Sequence, residues 1–185
     1  MSEQPARDPT EHSRWRPLRL LLDAMDADIA RVYAEARIGG LKPSWVMELL
    51  RLHARGPMTI AELARSVERT HSAMSQKVAA MRAAGWVRTG AGSDARSKTV
   101  TLTAKAARVT GLLAAEWRAT EAAVADLEAE IPYPLSRAVA DIADALRRKS
   151  FHDRIAEKLS ADPAWISRNQ GKPASTGRAG GASLS

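Results

Sequence analysis

Hydrophobic positions recur at helical spacing along most of this chain, and the breaks between the stripes are short. Leu18, Leu21 or Leu22, Met25, Ile29, Val32 or Tyr33 and Ala36 predict a first helix from Pro17, stopped by Gly39-Gly40 and about 30 Å long at 1.5 Å per residue. Pro43 suits the first turn of a second helix that buries Trp45, Val46, Leu49, Leu50 and Leu52 and ends at Arg55-Gly56-Pro57. Ile60, Leu63, Ala64 and Val67 form a third stripe, entered through Thr59-x-x-Glu62. That spacing is a capping box, with Met58 and Leu63 as its hydrophobic staple. After a polar break from Ser66 to Arg69, Met74, Val78 and Met81 fall at i, i+4 and i+7 of a fourth helix, which Gly85 closes.

The period then changes from helical to alternating. Trp86-Val87-Arg88-Thr89 and Thr99-Val100-Thr101-Leu102 predict the two strands of a hairpin whose turn, Gly90 to Lys98, carries Arg96 and Lys98. Thr103 suits the cap of a long helix from Ala104 to about Glu130, with the stripe Val109, Leu112, Leu113, Trp117, Thr120, Val124 and Leu127. Pro132 and Pro134 terminate it. A last helix from Leu135 to about Leu159 carries Val139, Ile142, Leu146, Ile155 and Leu159. The predicted fold class is mainly α with a small antiparallel β wing, a winged helix-turn-helix with additional N- and C-terminal helices.

The fourth helix is where chemistry enters. Opposite its apolar face lie Ser72, Gln76, Ala79 and Ala83, and no Asp or Glu occurs between Glu68 and Asp94. Small and hydrogen-bonding side chains admit a helix to the major groove, where bulk blocks approach and acidic groups repel phosphate. Gln76 has the two-pronged amide that pairs with adenine, and His71, Ser72, Ala73 and Ser75 sit near the helix start, within reach of base edges. Taken alone, the same pattern also describes an alanine-rich surface helix with a serine cap.

The turn decides between these readings. Asp94-x-Arg96-x-Lys98-x-Val100-x-Leu102-Thr103 follows the D-x-R-x-K-x-V-x-L-T wing pattern, and the chain resembles the MarR family of bacterial transcriptional regulators from about Leu18 to Leu159. The resemblance implies that Asp94 orients Arg96 and that Arg96 enters the minor groove, whose negative potential suits a guanidinium. Thr70, Lys77, Arg82, Arg88 and Lys98 are the expected phosphate contacts. One departure is Ala106, where the family more often carries glycine.

The terminal helices are too long for one small lobe to cover. They pack on one another within the chain or on a second copy, and the resemblance implies the second, a homodimer on a pseudo-palindromic operator. The expected organisation is a flexible arm (1–16), a first dimerisation helix (17–42), the DNA-binding lobe (43–103), C-terminal dimerisation helices (104–160) and a disordered tail (161–185). The resemblance further implies a crevice for a small lipophilic or anionic aromatic effector, with Met25, Ile29, Tyr33, Trp45, Leu49 and Trp117 as lining candidates.

Composition supports a polyanionic partner. A net charge of +7 over 185 residues favours nucleic acid, and no apolar run reaches the length of a membrane span. Cysteine is absent, which excludes disulfides, thiolate metal sites and thiol-based sensing. His12, His53, His71 and His152 show no metal-ligand spacing, so neither metal nor cofactor is expected. Gly90-Ala91-Gly92 lacks the third glycine and the following helix of a phosphate loop. No nucleophile elbow, Walker loop or carboxylate pair points to an enzyme. The N-terminus has no signal-peptide core, so a cytoplasmic location is expected. Two other readings fit the residues: a nonspecific architectural DNA binder, and a winged helix that binds protein.

Overall fold

The apolar stripes fold into helices α1 (Arg16–Glu35), α2 (Val46–Arg55), α3 (Ile60–Ser66), α4 (His71–Ala83), α5 (Ala104–Glu130), α6 (Leu135–Arg148), α7 (Phe151–Leu159) and α8 (Pro163–Gln170). Three short strands accompany them, β1 (Met58–Thr59), β2 (Val87–Ala91) and β3 (Lys98–Leu102). This is a computed structural model, and it describes residues 8–91 and 98–170. The chain forms two units, one ending at Glu121 and the other beginning at Ala122.

In the first unit, Leu49, Leu63, Met74, Met81, Val100, Ala106 and Leu113 are fully buried in one core contributed by α2, α3, α4, β3 and α5. Ala106, the departure noted in the wing's sequel, lies wholly inside that core. Trp86 is buried beside it in the same cluster and donates its indole Nε1–H to the Gly40 carbonyl at 2.9 Å.

The capping box at α3 is complete: Thr59 Oγ1 accepts from the Glu62 amide at 3.2 Å, and Glu62 accepts from the Thr59 amide at 2.8 Å. An N-cap residue is extended rather than helical, and Thr59 (φ −68°, ψ 160°) therefore also serves as the end of β1. The sheet accordingly has three strands in the order β1-β3-β2, all antiparallel, where a two-stranded ribbon was expected. Met58 pairs with Val100, and Val87 with Leu102. The hairpin also zips further than expected. Gly90 and Ala91 belong to β2, and Lys98, assigned above to the turn, lies in β3 opposite Ala91.

Three helices end in one way. At the ends of α1, α3 and α4 the residues Arg37, Glu68 and Gly85 take positive φ (58°, 53° and 75°). The next amide in each case reaches back to a carbonyl five residues earlier: Ile38 to Tyr33, Arg69 to Ala64 and Trp86 to Met81. These are Schellman turns, which satisfy the last carbonyls of a helix. The first explains why α1 stops at Glu35, short of Gly39-Gly40: Ile38 and Tyr33 are both buried, and their packing closes the turn without a glycine.

The second unit departs from the single helix expected from Leu135 to Leu159. Lys149 is extended (φ −150°, ψ 119°) and Ser150 caps α7, its hydroxyl accepting from the Asp153 amide at 3.0 Å. Residues 161–170, placed in a disordered tail, contain α8, whose start is held by Asp162 accepting from the Ala164 and Trp165 amides. At the other end, the arm contains a 3-10 turn at Pro9–His12. Among the described residues no helix is long and apolar enough to cross a membrane.

Candidate nucleic-acid interface

Helix α4 is anchored on one side and open on the other. Met74, Val78 and Met81 are 0%, 3% and 0% exposed, which orients the rest of the helix by its 100° per residue. His71, Ser72, Ala73 and Gln76 are exposed, Ser75 is half-buried, and Ala79, Ala80 and Ala83 continue the slim outward surface. Thr70 is the N-cap, its Oγ1 accepting from the Ala73 amide at 3.3 Å. Exposed Glu68 at the Schellman turn and the short link to Thr70 set the angle between α3 and α4.

The cations flank this surface in two ways. Arg82 is exposed and reaches Thr89 of β2 at 3.4 Å, while Arg88 is exposed and donates from Nε to Thr101 of β3 at 3.1 Å. Both guanidiniums keep donors for phosphate. Lys98 is exposed at the head of β3. Asp94 and Arg96, the proposed minor-groove pair, lie outside the described residues.

Lys77 is placed differently from the expectation of a phosphate contact. Its ammonium is directed into the protein, donating to Glu48 Oε1 at 2.8 Å and to the Ser44 carbonyl at 2.8 Å. Glu48 is 2% exposed, and its second oxygen, Oε2, has no hydrogen-bond partner among the described residues. Glu48 was not among the expected site residues. Its signal is a carboxylate three residues after Trp45 and four before Leu52, on the apolar stripe of α2.

Beside this ion pair opens a crevice of about 320 Å³. It brings together Ile29, Tyr33 and Trp117 of the expected effector lining. Trp45, the last residue of a 3-10 turn at Pro43–Trp45, and Leu49 of α2 are instead core residues, 6% and 0% exposed, and Met25 is not part of the wall. Glu116 was not anticipated: its Oε2 accepts from the Tyr33 hydroxyl at 2.6 Å and its Oε1 from the Thr120 hydroxyl at 2.7 Å. Burial, together with the hydrogen bond to Glu116, raises the Tyr33 phenol far above the ordinary tyrosine range, so it stays a donor.

Residues 39–97 match the family model described as the MarR family. Among solved structures, the MepR–DNA complex from S. aureus is similar at 15% identity, covering 74% of this chain and 97% of that one, with a TM-score of 0.55. The M. tuberculosis transcriptional regulator MOSR in complex with DNA is 25% identical, covering 77% and 98%, with a TM-score of 0.51. A MarR protein from Peptoclostridium difficile is 18% identical, covering 82% and 99%, at 0.53. No curated protein sequence matches the chain.

Proposed function

We propose, from the premise that this chain carries the winged helix-turn-helix of the MarR family, that it is a sequence-specific DNA-binding transcriptional regulator. The observation that carries the reading is the outward face of α4. Ser72 and Gln76 stand exposed among alanines on a helix that contains no Asp or Glu, and Arg82 of the same helix and Arg88 of β2 are exposed as well. Such a face enters the major groove, where Gln76 pairs with adenine and Ser72, Ser75, His71 and Ala73 approach the neighbouring edges. Thr70, Arg82, Arg88 and Lys98 hold phosphates. Arg96, oriented by Asp94, probes the minor groove. MOSR and MepR, each in complex with DNA, are precedents in their own right.

The regulator works as a homodimer. α1 exposes the consecutive residues Leu20, Leu21 and Leu22, and α6 exposes a stripe of Val139, Ile142 and Leu146 at i, i+3 and i+7; a second copy covers such apolar surface at least cost. Two recognition helices then meet half-sites about one DNA turn, ~34 Å, apart. The output is repression relieved by a small effector, and the place of action is the cytoplasm. An Arg96→Ala variant tests the reading: it should bind its operator far more weakly while keeping its fold and dimer. Equal affinity for a promoter fragment and for random duplex would instead indicate an architectural binder.

A further inference from the structure

The crevice beside α4 carries an unusual charge balance. Among the described residues, its walls hold the carboxyl groups of Asp26, Glu48, Glu116 and Glu121 against two cationic side chains, Arg69 and Lys77. One of those cations is already committed, since Lys77 donates to Glu48 and Ser44. Its apolar lining includes two aromatic rings, Tyr33 and Trp117, beside Ile29, Val46, Met47 and Val67. Glu48 is among the lining residues, almost wholly buried, and its Oε2 has no donor among the described residues. A buried acceptor without a donor costs free energy that a ligand's N–H recovers.

We propose that this crevice binds an organic ammonium with an aromatic body, and not the anionic aromatic that the family resemblance implies. The ring lies against Trp117 and Tyr33, where aromatic faces also favour a cation. The ammonium donates to Glu48, with Glu116 held ready beside it by the hydroxyls of Tyr33 and Thr120. An anion in the same place meets four carboxyl groups and gains only the exposed Arg69.

Glu48 is also where the crevice meets the DNA-binding helix. Lys77 holds Oε1, so an ammonium on Oε2 makes the carboxylate serve two cations and weakens its hold on Lys77, a flexible side chain 25% exposed. That sharing loosens the polar link between α2 and α4. Ligand and DNA therefore oppose one another, and by linkage each weakens the other to the same degree. Only this consequence rests on the regulator reading; binding of the ammonium does not.

The test is calorimetric titration of the full chain with 2-phenylethylammonium, 3-phenylpropanoate and 2-phenylethanol. The cation should bind at least about tenfold more tightly than either of the others, a 1.4 kcal/mol preference. Glu48→Gln should abolish that preference. Lys77→Met, which removes the competing ammonium, should tighten the cation by about tenfold, a gain that a merely structural role for the pair does not produce. Tighter binding of the anion, or an unchanged cation affinity in both variants, overturns the proposal. Titration without DNA separates the two readings. A chain that prefers the cation but ignores its operator loses the regulator reading alone, and one that binds its operator but prefers the anion loses this inference alone.

Discussion

Lys77 of α4 and Glu48 of α2 form a 2.8 Å ion pair, with Glu48 almost fully enclosed. Enclosure makes the two members unequal. Glu48 cannot be re-solvated, so removing Lys77 alone strands a buried carboxylate, at a cost of about 3–5 kcal/mol. Lys77→Met should therefore lower the urea midpoint strongly, and the double variant Glu48→Leu/Lys77→Met should recover most of the loss. Additive effects of the two substitutions in urea unfolding would show that the pair is not coupled.

Two of the three Schellman turns make opposite predictions for changes at the left-handed position. Glu68 holds a left-handed conformation that costs an L-residue about 1–2 kcal/mol, so Glu68→Gly should stabilise the fold by ~0.5–1 kcal/mol after the entropy of glycine is counted. Gly85 has the same conformation, and a Cβ there would meet nothing within 4 Å. Gly85→Ala should thus destabilise by about 1 kcal/mol through backbone strain alone. Thermal melts of both variants decide the matter, and a shift of the same sign in each would refute the assignment.

The capping box at α3 gives a pH dependence. Hydrogen bonds from Thr59, first from its backbone amide and then from its hydroxyl, hold the Glu62 carboxyl below its ordinary value of 4.5. As pH falls, the unfolded chain takes up the proton before the folded one does. The contribution of the box is whole above pH 4.5 and is lost as pH drops through the lower folded value. Thr59→Ala should cost about 1 kcal/mol at neutral pH. The gap between variant and parent should narrow in acid, as followed by urea unfolding at several pH values; a constant gap would exclude the ionised form of the box.

Arg82 of α4 and Arg88 of β2 should separate cleanly from Gln76 in DNA titrations. Arg82→Ala and Arg88→Ala should weaken all sequences alike and each reduce the slope of log affinity against log salt by about 0.9. Gln76→Ala should leave the slope alone and relax discrimination at one base pair by ~1–3 kcal/mol. Anisotropy titrations over a salt series measure both quantities.

What the sequence disclosed, and what it withheld, follows from the range of the interactions. Thr59-x-x-Glu62, Gly85 and the alternation of Val100 and Leu102 are local signals, and each element they announce is present. The long helix from Ala104 to Glu130 was likewise legible from its proline stop. The early end of α1 depends on Ile38 packing with Tyr33, a contact that no residue preference encodes. The break before α7 carried a signal, Ser150 with Asp153 three residues on, which the continuing apolar stripe obscured. Pairing of Lys77 with Glu48 spans 29 positions, and it turned a residue that reads as a phosphate contact towards the crevice. The exposed face of α4 was predictable because burial of Met74, Val78 and Met81 determines it.

The most direct measurement is to incubate the purified chain with a library of random duplexes and to sequence the bound fraction. The account predicts enrichment of an inverted repeat whose half-site centres lie about 10–10.5 base pairs apart, with the enrichment lost in Gln76→Ala. A bound fraction as diverse as the input library would contradict it.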